Sequence, residues 1–190
     1  MPIRSTKITG VRLVEPRLSE DARGYFYEGY NSRILEELSD GETFVQENVS
    51  GSKRGVLRGL HYQLEPLAQG KLVRVIRGEV FDVVVDLRRG SPTYGRWESL
   101  ILSEGNRLRL WVPPGLAHGF LVVSEFAEMV YSVTRPYAPT HERALLWSDP
   151  DLAIPWPLSA DGPLLSDKDR RAAPLKEAEI NFVFSGPKGA

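Results

Sequence analysis

The sequence predicts an all-β domain, a barrel or sandwich of antiparallel strands. Short runs rich in Val, Ile and Phe recur along the chain, most densely over residues 71–88 (KLVRVIRGEVFDVVVDLR). Turn residues interrupt these runs every ~8–12 positions, the spacing of sandwiches and barrels. Helical periodicity is thin by comparison.

Taken in order, the first element with a clear start signal is a short helix. Asn31 supplies the cap, Ile34, Leu35 and Leu38 the apolar stripe, and Gly41 the stop. Residues 55–63 read as a strand with His61 and Gln63 on one face. The run 71–88 divides at Gly78-Glu79, which reads as a hairpin turn between two strands. Lys71 shares strand parity with Val73 and Val75, so it faces inward if they do. Residues 108–112 form a strand that stops at Pro113-Pro114-Gly115, and residues 120–123 and 128–134 are further strands. Residues 136–174, rich in Pro, Asp and Trp, read as irregular chain wrapped over the barrel, because proline interrupts a ladder. One helical turn starts at Ser166. Residues 180–184 give a last strand, within a 176–190 strand and tail. The 190 residues are expected to form one domain.

Composition narrows the function. Lys plus Arg (24) nearly balances Asp plus Glu (25), which argues against a nucleic-acid binder held by phosphate contacts. The chain has no cysteine, so disulfides, thiolate metal sites and cysteine nucleophiles are excluded. No apolar run has the length of a membrane span or of a signal-peptide core, and a soluble cytoplasmic protein is expected, with no membrane partner.

The three histidines differ in setting. His61 lies in Gly55-Val56-Leu57-Arg58-Gly59-Leu60-His61-Tyr62-Gln63. A metal-binding barrel would place a second imidazole where Gln63 stands, and with only Glu79 as a further ligand no metal site is expected. His118 follows Pro113-Pro114-Gly115 and precedes an apolar strand, a place at the barrel rim or mouth. His141 reads as exposed loop. Lys71, once buried, needs an anion or loses its proton affinity. Tyr131 follows Glu128-Met129-Val130 in a strand and packs by default. Asp169 completes Ser166-Asp167-Lys168-Asp169, a capping box at a helix start. Arg23, Lys53, Arg54 and Arg58 form a cationic set suited to phosphate. Arg58 and His61 have opposite strand parity, so both reach one ligand only if Gly59 permits a bulge, or if Arg58 sits at the rim or serves a neighbouring subunit.

These segments together resemble the dTDP-4-dehydrorhamnose 3,5-epimerase family. The resemblance rests on Asp21-Ala22-Arg23-Gly24-Tyr25-Phe26, Val45-Gln46-Glu47-Asn48, the 55–63 stretch, Gln69-Gly70-Lys71-Leu72-Val73, Gly78-Glu79-Val80-Phe81-Asp82-Val83, Asp86-Leu87-Arg88, Ser91-Pro92-Thr93, Pro114-Gly115-Leu116-Ala117-His118-Gly119-Phe120, Trp147-Ser148-Asp149-Pro150 and Leu165-Ser166-Asp167-Lys168-Asp169. It implies a cupin-type antiparallel jelly roll, a homodimer, and epimerisation of dTDP-4-dehydro-6-deoxy-glucose with no metal, nicotinamide or other cofactor. By resemblance His61 is the general base, Asp169 its orienting partner and Tyr131 the acid on the opposite sugar face. Lys71 and Arg58 steady the oxyanion or a phosphate. Arg23, Gln46, Asn48, Tyr137 and His118 match positions around the nucleotide and sugar. Where the family often carries histidine the chain has Val49, which bears on substrate selectivity. The alternatives are a single-centre 3- or 5-epimerase, a 3,4-ketoisomerase, a metal-dependent cupin enzyme, and a sugar-nucleotide binder without turnover.

Overall fold

The computed structural model describes residues 2–186. In chain order the first elements are β1 (Ile3–Ser5), β2 (Arg12–Val14), β3 (Leu18–Asp21), β4 (Gly24–Tyr27), α1 (Ser32–Leu38), β5 (Gln46–Lys53) and β6 (Leu57–Gln63). There follow β7 (Lys71–Arg77), β8 (Glu79–Asp86), β9 (Trp97–Ser103), β10 (Arg109–Val112), β11 (Leu116–Val122), β12 (Phe126–Val133), β13 (Glu142–Ala144) and α2 (Asp167–Arg170).

The strands build two facing antiparallel sheets. One has six strands in the order β1-β2-β10-β7-β12-β5, the other five in the order β13-β6-β11-β8-β9. Between them pack Val73, Val75, Val80, Val84, Leu110, Phe120 and Met129, the inward parity of their strands. This is a cupin-type jelly roll, and the all-β expectation holds.

The outer face of the five-stranded sheet is covered over β8, which explains why that strand reads as a continuous apolar run rather than an alternation. Its inward residues are Val80, Asp82 and Val84. Val83 and Val85 point the other way, under Leu145, Leu152, Trp156, Ile180 and Phe182 of the irregular C-terminal chain. That chain is fastened by side-chain bonds: Trp97 Nε1 donates to Leu152 O (2.7 Å) and Tyr62 Oη to Glu179 O (2.8 Å). On the six-stranded sheet, α1 sets Leu35 and Leu38 against Val14, Leu72 and Trp111. Asn31 caps α1 as expected, its Oδ1 accepting from the N–H groups of Arg33 and Ile34.

Three expectations need correction. Gly78 does not close a hairpin, because β7 and β8 lie in different sheets. It turns the corner between them with φ +74°, and a Cβ there would run into the Phe126 carbonyl. Two β runs flanking a glycine give the same pattern for a corner as for a hairpin. Residues 180–184 form no strand; Val183 makes a single bridge to Arg89. The last four residues of the expected 176–190 tail lie outside the described residues. His118 is not at the rim: it stands inside β11, 7% exposed.

Candidate active site

A cavity of about 340 Å³ opens between the sheets, lined by residues of both. The five-stranded wall contributes Arg58, His61, His118 and Glu142; the six-stranded wall contributes Gln46, Asn48, Lys71 and Tyr131.

Arg58 and His61 share the cavity because β6 is bulged. Against β11, His61 pairs with His118 and Arg58 with Phe120, so three residue steps on β6 oppose two on β11. Gly59 takes up the difference with φ +114°, and a Cβ there would lie 2.5 Å from Gly119 Cα and 2.7 Å from the His118 carbonyl. The bulge settles the parity conflict read from the sequence.

His61 Nε2 lies 2.5 Å from Asp169 Oδ1. The carboxylate only accepts, so Nε2 carries the proton and Nδ1 keeps its lone pair. Ser166 caps α2: its Oγ accepts from the Asp169 N–H (3.2 Å), and its hydroxyl donates to Asp169 Oδ2 (2.9 Å), where a full capping box would have the carboxylate accept from the Ser166 N–H. The cap and the His61 contact are compatible, since each uses a different oxygen of Asp169. Burial lowers the His61 pKa, against the opposing pull of Asp169. Burial alone would raise Asp169, but the hydrogen bonds from His61 and Ser166 prevail and hold it below the usual carboxylate range.

Lys71 is 8% exposed, inward as its parity with Val73 and Val75 implied. Its ammonium donates to the His61 carbonyl across the barrel (3.0 Å), and burial lowers its pKa to about 8. Tyr131 stands on the facing wall, half-buried, its pKa raised chiefly by burial and eased by Arg58. Arg58 donates to Ser52 Oγ (3.0 Å), and among the described residues it forms no ion pair. A second imidazole–carboxylate pair lies deeper: His118 Nε2 is 2.8 Å from Asp82 Oδ2, and Asp82 Oδ1 has no partner. Burial raises the Asp82 pKa.

A polar chain closes the mouth. Gln46 donates to Asn48 Oδ1 (2.8 Å) and accepts from the Tyr137 N–H (3.1 Å). Tyr137 Oη donates to Glu142 Oε2 (2.8 Å), and Lys168 Nζ to Oε1 (2.7 Å). Glu142 and Asp82 were not singled out from the sequence. Asp82 was visible as an acid at an inward parity position of β8, whereas Glu142 sits on a three-residue strand with no pattern.

Not every expected residue reaches the cavity. Arg23 is in the β3–β4 turn, its side chain 90% exposed and paired with Asp21 (2.6 Å). Lys53 and Arg54 are exposed at the end of β5 and beyond, Arg54 facing Glu125. Val49 points out of the barrel, 59% exposed, so it does not line the cavity and its contact with a substrate there is lost. Gln63 spends its amide on Leu67 O, Pro136 O and the Ala138 N–H, which makes it a loop clamp. Among the described residues no cluster of three or more His, Asp or Glu is arranged to hold a metal ion.

The barrel is of the cupin class, and its cavity sets a carboxylate-backed imidazole on one wall against a phenol and a buried ammonium on the other, groups able to move protons. The sequence profile of the dTDP-4-dehydrorhamnose 3,5-epimerase family matches residues 5–177. The dTDP-4-dehydrorhamnose 3,5-epimerase of Pseudomonas aeruginosa is 55% identical over 173 residues, 90% of this chain and 94% of that one. The crystal structure of the Legionella pneumophila dTDP-6-deoxy-D-glucose-3,5-epimerase, in complex with dTDP-4-keto-L-rhamnose, superposes with a TM-score of 0.91 at 44% identity, over 97% and 99% of the two chains. A 3'-monoepimerase from Streptomyces bikiniensis, in complex with dTDP-quinovose, gives 0.83 at 38% identity, over 90% and 86%. The chain belongs to the dTDP-4-dehydrorhamnose 3,5-epimerase family.

Proposed function

We propose that this enzyme inverts C3 and C5 of a dTDP-4-dehydro-6-deoxyhexose by proton transfer through an enolate, as in dTDP-L-rhamnose synthesis. The observation that carries the reading is the placement of His61 and Tyr131 on opposite sheets across one cavity.

A C–H beside the C4 ketone is acidic because its electron pair delocalises onto O4. His61 Nδ1 takes the proton, the C–H pair becomes the enolate double bond, and O4 gains the charge. Asp169 stabilises the imidazolium so formed. Tyr131, kept protonated by its raised pKa, returns a proton to the other face as the ketone re-forms; it then regains a proton from solvent while the His61 imidazolium releases one, which restores both groups for the second centre. The ammonium of Lys71 and the guanidinium of Arg58 face the developing oxyanion or a phosphate. Every step uses side chains of this protein, and no metal or cofactor enters it. Gln46, Asn48, Tyr137 and His118 bind sugar and nucleotide.

The reading includes a homodimer and a cytoplasmic location, the compartment of nucleotide-activated sugars. The dimer is supported by the β3–β4 arm, which carries Arg23 away from its own cavity and exposes Tyr25 (62%) and Phe26 (74%). A second copy gives that arm a cavity to enter.

Incubation with the 4-keto sugar nucleotide in D₂O tests the chemistry. Deuterium is expected at both C3 and C5 with the wild type and at neither with His61→Ala; no exchange in the wild type refutes it. A single-centre epimerase is the second reading, favoured by the likeness to the 3'-monoepimerase. It predicts one inverted carbon.

A further inference from the structure

Arg74 and Arg109 face each other directly across the β7–β10 ladder on the outer side of the six-stranded sheet. Arg109 is 3% exposed, yet its Nε and Nη2 have no hydrogen-bond partner. Among the described residues neither arginine forms an ion pair. Like charges directly opposite repel, and a buried guanidinium edge without a hydrogen-bond partner leaves its desolvation only partly offset by the more distant charge of Glu28. Such an arrangement calls for an anion.

The surroundings provide room for one. A pocket of about 90 Å³ lies over the two guanidinium groups, lined also by Gly29, Tyr30, Glu47 and Ser132. A Cβ built on Gly29 would stand 3.8 Å from Arg109 Nη2 and 4.0 Å from Arg74 Nη1, so both groups turn toward the same small space. The nearby acids are engaged elsewhere. Glu47 accepts from Ser132 (3.1 Å) and Glu28 from Asn31 (2.9 Å). Glu28 and Glu47 offset the two cations in charge, but neither hydrogen-bonds them, so the open Nε and Nη2 of Arg109 and not an excess of positive charge mark the pocket. The site is separate from the catalytic cavity: Leu72, Arg74, Val130 and Ser132 have the opposite parity to Lys71, Val73, Met129 and Tyr131.

We propose that this pocket is an oxyanion site that seats one phosphate-sized group between Arg74 and Arg109. Arginine forks match such oxygens with paired hydrogen bonds, and the orphaned Nε and Nη2 of Arg109 are the edge that makes them. The volume suits a single tetrahedral ion or a carboxylate and is too small for a nucleotide. The oxygens come from free phosphate or from an acidic side chain of a second copy of this chain.

Thermal unfolding of the full chain in inorganic phosphate against chloride, at equal ionic strength, tests the site. Phosphate raises the wild-type Tm, by roughly 5–10 °C at about a hundredfold excess over its dissociation constant and logarithmically with concentration beyond that. Arg109→Met abolishes that response. Gly29→Asp brings a carboxylate to the same guanidinium groups, so it raises the Tm without phosphate and removes the response. Sedimentation separates the sources: if a second copy supplies the oxygens, both variants weaken self-association and phosphate competes with it. A phosphate shift that Arg109→Met retains in full puts the ion elsewhere and overturns the proposal. It is equally overturned if phosphate has no effect and neither variant changes Tm or association.

Discussion

Replacing Lys71 by methionine separates what this residue costs the fold from what it gives the reaction. Burial lowers its pKa from 10.5 to about 8, although Glu142 and Asp82 pull the other way. That step corresponds to roughly 3 kcal/mol held against the charged form. The folded pKa lies below the unfolded one, so below pH ~8 both states are protonated and the fold bears the whole cost. Between about pH 8 and pH 10.5 the folded chain releases a proton that the unfolded chain keeps, and stability rises with pH. Methionine has a similar length and no charge. It removes the cost but forfeits the bond to the His61 carbonyl, worth about 1 kcal/mol. Lys71→Met is therefore expected to be about 2 kcal/mol more stable at pH 7, with the gain gone near pH 10.5. Turnover should fall by about 10²–10³, the loss typical of one oxyanion donor. Urea unfolding at pH 7 and pH 10 reads the first effect and steady-state kinetics the second. A variant less stable at pH 7, or one whose gain does not change with pH, would refute the reasoning.

Four further outcomes follow from the same geometry. Asp169→Asn should lower kcat by about 10²–10⁴ and, because Asp169 opposes the lowering of the His61 pKa by burial, move the acid limb of kcat/KM to still lower pH. Tyr131→Phe should retain deuterium exchange from the His61 side while losing inversion, measured by NMR of the recovered sugar. On the proposed dimer, with Arg23 entering the partner's cavity, mixing inactive Arg23→Ala with inactive His61→Ala should restore activity to about a quarter of the wild-type level, since half of a random mixture is mixed dimer with one intact site. Gly78→Ala should cost about 1–3 kcal/mol in denaturant unfolding, since its φ is +74° and its Cβ meets the Phe126 carbonyl.

Much of the barrel was legible because its inner strands obey parity. Lys71, Val73 and Val75 point the same way in the structure as in the sequence pattern, and Asn31 caps the helix it was expected to cap. The corner at Gly78 was not legible, because local pattern reports strands and turns but not which sheet a strand joins. Strand β5 (QENVSGSK) and the β3–β4 arm escaped detection because neither buries an alternating apolar face. The site was harder to read than the fold. Ser166 caps the helix turn as its pattern implied, while Asp169 meets the Ser166 hydroxyl with one oxygen and His61 with the other over 108 residues of chain, a contact that no local pattern encodes. Arg58 and His61 conflicted in parity until the Gly59 bulge was seen, and Glu142 carried no signal on its short strand.

The structure of the enzyme with an unreacted nucleotide-sugar analogue tests the account most directly. It should place His61 Nδ1 and Tyr131 Oη within about 3.5 Å of the pyranose carbons or their hydrogens, one below the ring and one above. Both groups on one side of the hexose, or a sugar bound out of reach of either, would contradict it.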